Sequence, residues 1–305
     1  MKIMKKSSIE KTHKIDIIYG IGLDSTNKQR VLRFIRLKLD KYSGKRAHNE
    51  RFLVVTPNPE IVILAEKNEQ LKSIINGADL SIPDGIGLAQ AVRFLSLKTT
   101  NIPLIKIVVI FFQGLYVGLT TWTKRDWLEK EIKIIPGREV FVDLIKLANK
   151  KGWKVVLLGD REDSAKYAAD VLVKNYKKVK ITAIIGPNLN DIGKPKTKED
   201  VLIQEHAVNT INSIKPHLLF VAFGAPKQEM WSNEWLRRLR VGGIMVVGGT
   251  FDYVSGKVSL PPSWIQKLSL EWLYRLFNQP NRFKRIFIAF PIFPLKMFWY
   301  KVKKD

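Results

Sequence analysis

Cysteine is absent from the sequence. That removes disulfides, zinc–thiolate sites and cysteine nucleophiles, and it suits a reducing cytoplasm. Histidine is scarce, and the four present (His13, His48, His206 and His217) lack ligand spacing, so no metal site is expected. No D-x-D pair occurs, so the common carboxylate clamp for a metal–sugar-nucleotide complex is missing. Acid is also in short supply: 28 Asp plus Glu against 52 Lys plus Arg leave a net charge of +24. Such an excess calls for a polyanionic partner, whether nucleic acid, an anionic membrane surface or a phosphorylated substrate. The opening "MKIMKKSSIEKTHK" lacks the apolar core of a signal peptide, so residues 1–14 read as a basic, disordered leader.

What is present is a long alternation of apolar runs and amphipathic stretches. "RFLVVTPN", "DLSIPDG", "WKVVLLGD", "VKITAIIG", "PHLLFVAFG" and "GGIMVVGG" read as buried strands, and "KIDIIYGIGLD" as a further short strand and turn. Between them, "KQRVLRFIRLKLDKY", "PEIVILAEKNEQLKSIING", "EVFVDLIKLANKKG", "REDSAKYAADVLVKNY" and "KEDVLIQEHAVNTINSI" have helical spacing, with Gly77 placed to end the second of them. Continuous apolar strands alternating with helices predict an α/β fold, a parallel sheet covered on both faces, over residues 15–256.

Two segments depart from that texture. "IPLIKIVVIFFQGLYVGLTTW", Ile102 to Trp122, has about the length that spans a bilayer, but Lys106, Gln113 and two glycines interrupt it. A single crossing would put the two halves of one sheet on opposite sides of a membrane. The insertion, about residues 97–133, is therefore expected to dock on a membrane as an interfacial, re-entrant or hairpin-like element. From residue 257 to 305 the chain becomes a basic, aromatic-rich helical appendage with almost no acid. Trp272, Tyr274, Phe277, Phe283 and Phe287 suit a bilayer interface, and "IFIAFPIFPLKMFW" is too apolar for a nucleic-acid arm. An anionic membrane, not nucleic acid, is the expected polyanion. Arg275, Arg282 and Arg285 would share one face if the helix continued past Pro280, and a proline makes a kink or restart there the stronger expectation.

In an open parallel sheet, ligands bind beyond the carboxyl ends of the strands. Those ends carry Thr56 and Asn58, Asp84 between the strand and Gly85-Ile86-Gly87, then "FGAPKQE" with Lys227 and Gln228, and "GGTFD" with Gly248, Gly249 and Asp252. Asp84 is either a helix cap or a general base whose pKa apolar surroundings would raise. Gly85 and Gly87 allow close approach of a ligand or simply a tight turn. Lys227 and Gln228 could hold phosphate and sugar hydroxyls at a helix N-terminus, or be a solvated first turn. Gly248 and Gly249 offer bare backbone amides to a diphosphate, or form a structural turn. "GIGLDS" imitates a dinucleotide fingerprint, but Ser25 replaces its third glycine, so an oxidoreductase is a minor alternative.

The motifs "TPNPEIVILA", "ADLSIPDGIGL", "LLFVAFGAPKQEMW", "VVGGTFDYVSGKV" and "LSLEWLYRLFNQPNRFKR" occur in the order seen in the WecG/TagA/CpsF glycosyltransferases. The chain resembles that family from about Ile15 to Arg285, apart from the insertion. The resemblance implies a Rossmann-like core with a membrane-docking appendage that helps to close the site. It implies inverting transfer of N-acetylmannosamine, its uronic acid or a related sugar from a UDP donor to a polyprenyl-diphosphate-linked N-acetylglucosamine. No cofactor is expected, the UDP-sugar being a substrate. The resemblance also implies Asp84 as the base, Thr56, Asn58 and Gln228 in the pocket, and Arg275, Arg282 and Arg285 on the diphosphate. Family members usually carry an arginine before the glycine matching Gly137; here Arg138 follows it. A non-catalytic sugar-nucleotide or lipid-binding protein on the same fold is the alternative.

Overall fold

The computed structural model describes residues 13–42, 51–160, 163–278 and 283–303. The chain opens with a two-stranded antiparallel ribbon, β1 (His13–Ile18) and β2 (Ile21–Ser25), followed by α1 (Lys28–Tyr42). Next come β3 (Phe52–Val55), α2 (Pro59–Glu66), α3 (Glu69–Gly77), β4 (Leu80–Ser81) and α4 (Ile86–Ser96). A long helix α5 (Pro103–Thr123) and a short α6 (Arg125–Leu128) precede α7 (Gly137–Lys151). The second half runs β5 (Lys154–Gly159), α8 (Ser164–Asn175), β6 (Lys180–Ile185), α9 (Lys198–Ile214), β7 (Leu218–Ala222), α10 (Lys227–Trp235), β8 (Gly243–Val246) and α11 (Thr250–Val254). Helices α12 (Ser263–Lys267), α13 (Glu271–Asn278), α14 (Phe283–Phe287) and α15 (Phe293–Lys303) follow the last strand.

Strands β3 to β8 form one six-stranded sheet in the order β4-β3-β8-β7-β5-β6, and every pairing in it is parallel. The expected doubly covered sheet therefore forms. Alternate residues of each strand feed two apolar clusters. Leu53, Val55, Leu219, Val221, Ile244 and Val246 pack with α2, α3, α4, α9 and α10, whereas Phe52, Val54, Leu218, Phe220 and Met245 pack with α1, α7, α8 and α11. The neighbours β3 and β8 send their following helices to opposite faces, α2 to one and α11 to the other. A crevice must open where those two connections part, beyond the carboxyl ends of the strands.

Three local expectations are corrected. "KIDIIYGIGLD" is a β-hairpin and not a strand feeding the sheet: Tyr19 and Gly20 both take positive φ (56° and 74°), the signature of a tight two-residue hairpin turn. "GIGLDS" is thus the end of the hairpin turn and strand β2, and its glycines lie in the antiparallel ribbon and not in a turn between a strand of the main sheet and a helix. The stretch Pro59 to Gly77 is two helices, because the Asn68 side chain accepts from Leu71 N (3.0 Å) and starts α3 afresh. The apolar segment is one continuous helix, α5, so the hairpin form is ruled out. Residues 1–12 of the expected leader lie outside the described residues; His13 and Lys14 already belong to β1.

The residues after the sheet do not stand apart from it. Phe293 and Met297 of α15, each 2% exposed, join the same apolar cluster as Ile61 of α2 and Leu88 of α4. The buried Lys301 donates to Phe94 O and to Gln113 Oε1, tying α15 to α4 and α5.

Candidate active site

The candidate residues line up along the carboxyl edge of the sheet in strand order. Asp84 follows β4, Thr56 and Asn58 follow β3, Gly248 and Gly249 follow β8, and Lys227 and Gln228 begin the helix after β7. Strands lie about 4.8 Å apart, so Asp84 and the Gly248 turn are roughly 10 Å apart across two spacings.

Asp84 does not cap the helix after it. The N-cap of α4 is Gly85, at φ 101°, and no side chain caps that end. The Asp84 carboxylate reaches the other way and accepts from Gly137 N (Oδ2, 3.1 Å), at the first residue of α7. Its own N–H is fixed by Pro57 O at 2.8 Å. Burial pushes the carboxyl above the usual carboxylate range, and the Gly137 N–H and the charges of Arg275 and Arg138 only partly oppose it. Gly137 has no side chain for a reason: a Cβ there would sit 3.1 Å from Thr56 Cγ2 and 3.4 Å from Asp84 Oδ2. Thr56 is buried against this spot.

Helix α13 closes the same corner. Arg138 pairs with both oxygens of Glu271 (2.7 and 2.9 Å), and its Nη2 also reaches Gln266 Oε1 (3.3 Å). Arg275 lies 3.7 Å from Glu271 and sits over the Tyr253 ring, 5.3 Å from its centroid. Its Nε is buried with no hydrogen-bond partner. Arg138, whose place in the pattern was irregular, is therefore the residue that joins α7 to α13.

A second station lies further along the edge. Gly248, Gly249, Asp252 and Arg285 line one cleft with Asp160 and Gly224. Asp252 Oδ1 accepts from Ser164 Oγ at 2.6 Å. Gln228 is buried and bridges inward: its Oε1 accepts from Gly248 N (3.1 Å), and its Nε2 donates to Glu229 Oε1 (2.9 Å). Lys227 is half-buried at the start of α10.

Some candidates are placed differently from the expectation. Asn58 Oδ1 is engaged in capping α2, accepting from Ile61 N at 2.9 Å. Gly87 faces Pro59, whose Cγ would lie 2.9 Å from a Cβ, so its smallness serves packing between α4 and α2. Arg275 and Arg285 do not share one helix face, in keeping with the stronger expectation of a kink or restart between them. They lie on separate helices, α13 and α14, one beside Asp84 and the other in the cleft; Arg282 and Pro280 lie outside the described residues.

Residues 16–114 and 118–305 match the Glycosyl transferase WecG/TagA/CpsF family. The chain belongs to the WecG/TagA/CpsF family. It is a glycosyltransferase. The match takes in all but residues 115–117 of the segment read as an insertion, and it continues past Arg285 through α15. The chain is 27% identical over 264 residues to the N-acetylglucosaminyldiphosphoundecaprenol N-acetyl-beta-D-mannosaminyltransferase of Bacillus subtilis (strain 168), covering 83% of this chain and 85% of that one. It is 23% identical over 238 residues to the protein of the same name from Bacillus spizizenii (strain ATCC 23059 / NRRL B-14472 / W23), covering 78% and 76%.

Two acids of this glycosyltransferase escaped the sequence reading. Glu229 is buried, and its Oε2 has no hydrogen-bond partner. Burial pushes its carboxyl up to about 7, against the Gln228 hydrogen bond and the Arg285 charge, while Glu60 adds to the rise. Glu60, also buried, accepts from Arg285 Nε at 2.6 Å. Each sits in the first turn of a helix, where an acid ordinarily marks only a favourable dipole position. The one signal was "FGAPKQE": an acid set directly behind the polar pair at a strand end.

Proposed function

We propose that this enzyme moves N-acetylmannosamine, its uronic acid or a related sugar from a UDP donor to a polyprenyl-diphosphate-linked N-acetylglucosamine, with inversion at the transferred carbon, in the building of a cell-surface polysaccharide or teichoic acid. The observation that carries this reading is Asp84: a half-buried carboxylate with a raised pKa at a strand end, held by Gly137 N and flanked by arginines, in a member of this family. Both relatives are named for transfer of an N-acetyl-β-D-mannosaminyl group to an N-acetylglucosaminyl-diphosphoundecaprenol.

In this scheme Asp84 takes the proton of the acceptor hydroxyl as its oxygen bonds to the anomeric carbon of the donor. The bond from that carbon to UDP breaks on the opposite face, and UDP leaves with the electron pair. The charge growing on the leaving diphosphate needs fixed donors. The Gly249 backbone beside Gly248, whose own N–H is held by Gln228, the start of α10 with Lys227, and Arg285 supply them in the second station, and Arg275, with Arg282, serves the acceptor's diphosphate. Thr56 and Gln228 shape the pocket between, and Asp252 stands at the far side of the cleft. The enzyme works as a peripheral or monotopic protein at the cytoplasmic face of the cell membrane, where the +24 charge meets anionic lipid.

The test is transfer from a panel of radiolabelled UDP-sugars to a short-chain polyprenyl-diphosphate-N-acetylglucosamine, with Asp84→Asn beside the wild type. Transfer should fall by about 10²–10⁴-fold in Asp84→Asn with UDP-sugar binding retained. The wild-type rate should rise with pH along an acid limb displaced above the ordinary aspartate range, as Asp84 loses its proton. Equal transfer by both proteins would remove Asp84 from the chemistry.

A further inference from the structure

Helix α5 is ordered inside out for a helix in water. The stripe it turns toward the protein is Lys106, Ile110, Gln113, Val117, Thr120 and Thr121, and four of those six side chains are polar. The opposite face, with Leu104, Val108, Phe112, Leu115, Leu119 and Trp122, is between 51% and 80% exposed and carries no charge. A surface helix in water does the reverse, turning its apolar stripe inward.

The inward polar groups are satisfied by the protein. Gln113 Nε2 donates to Lys98 O and its Oε1 accepts from Lys301 Nζ, each at 2.6 Å. Thr121 Oγ1 accepts from Gln90 Nε2 at 2.6 Å. Polar pairs within and hydrocarbon without is the arrangement that an apolar solvent favours. The surface continues onto α15, which packs along α5 and leaves Leu295 and Trp299 each 55% exposed. Contiguous apolar exposure rimmed by polar residues marks an interaction surface.

The surroundings select the occupant. Lys98 and Lys124 flank the helix at its two ends, and the chain as a whole carries +24, so the partner that offers both hydrocarbon and negative charge is an anionic bilayer. Crossing is excluded by topology, since α4 before the helix and α7 after it cover the same sheet. We infer that α5 lies in the plane of the membrane with this face in the acyl region, and that from there it holds the loop leading into α13. The inference rests on the glycosyl-transfer reading for its purpose but not for its test. At the end of α5, Trp122 Nε1 donates to Leu268 O (2.7 Å), and just beyond it Arg125 Nη1 donates to Ser269 Oγ (2.8 Å). Two residues on, Glu271 grips Arg138 beside Asp84. Docking α5 thus fixes the height above the bilayer at which Asp84 meets a hydroxyl carried on a lipid.

The absence of cysteine allows a clean experiment. Leu115→Cys, and Lys174→Cys on α8 as a control, each give the full chain a single thiol for an environment-sensitive fluorophore. With phosphatidylcholine–phosphatidylglycerol vesicles containing doxyl-labelled acyl chains, the probe at 115 should shift to the blue and be quenched, and the probe at 174 should not. An unchanged probe at 115 on vesicle-bound protein overturns the inference, and so does failure to bind vesicles. Shielding at 115 without vesicles, accompanied by dimers in sedimentation velocity, would assign the face to a second copy and overturn it too. The doubly substituted Leu115→Asp, Leu119→Asp protein should lose about tenfold or more in vesicle affinity and in transfer to a vesicle-embedded acceptor, with transfer to a short-chain soluble acceptor unchanged. No transfer by the wild type to any acceptor would sink the catalytic reading and leave the probe result standing.

Discussion

Arg138 and Glu271, 133 residues apart in the chain, meet fork to fork, with both guanidinium–carboxylate contacts under 3 Å (2.7 and 2.9 Å). The pair is the bolt between the sheet domain and α13. It lies partly buried, with 18% and 28% of the two side chains exposed, so solvent screens it only in part. Its charges also bear on Asp84, with Arg138 lowering the pKa and Glu271 raising it.

Glu271→Gln keeps the size of the side chain and removes the charge. The expected result is a loss of about 1–3 kcal/mol in the attachment of α13. It should be seen as faster proteolysis after the last strand with little change in the melting of the sheet. Transfer should drop with it, because Arg275 rides on the same helix. Arg138→Lys should do the same, since an ammonium cannot occupy both carboxylate oxygens.

Gly137→Ala places a methyl 3.1 Å from Thr56 Cγ2 and 3.4 Å from Asp84 Oδ2. Alanine suits the first turn of a helix, so global stability should change by about 1 kcal/mol or less. The Thr56 methyl, however, must give by a few tenths of an ångström right beside the carboxylate. The expected outcome is a fall in kcat larger than any rise in KM for the UDP-sugar; unchanged kcat would mean that the Asp84–Gly137 contact has no part in turnover.

Glu229 predicts a pH dependence of stability. Its folded-state pKa, about 7, stands above the ordinary 4.5, so the folded protein holds this proton more tightly than the unfolded chain does. Stability from that proton is complete below about 4.5 and is lost as pH rises through about 7, on the order of 1–3 kcal/mol. Glu229→Gln should be flat in this window, and so more stable than the wild type at pH 8 and not at pH 4.5. Parallel melting curves of the two proteins from pH 4.5 to 8 check this.

The sheet was legible because its strands are buried on both faces: "FLVV", "KVVLLG", "LLFVA" and "GIMV" are continuous apolar runs that admit little else. Asp84 was legible as a lone acid at a strand end, though not its partner, since nothing local points from residue 84 to Gly137 N. The ribbon was misread because Gly20 and Gly22 imitate a phosphate loop, while the turn is set by positive φ at Tyr19 as well as Gly20. Glu60 and Glu229 could not be singled out. An acid in a first helical turn is ordinary, and only packing over 225 residues, which brings Arg285 to Glu60, makes it costly and specific. The inverted helix left a trace that went unused: Lys106, Gln113 and Thr120 recur every seven residues, a stripe that can face only one way.

The surroundings of Asp84 are assembled from both ends of the order in which the chain is made. Strand β4 and the start of α7 emerge early, but Arg275 and Glu271 follow every strand of the sheet. A growing polypeptide therefore completes its scaffold while the carboxylate still faces water, with none of the guanidinium charge that α13 brings. Competence to react with an activated sugar arrives last, when the nascent chain is long enough to reach back to its own edge and, by the same helices, to the bilayer.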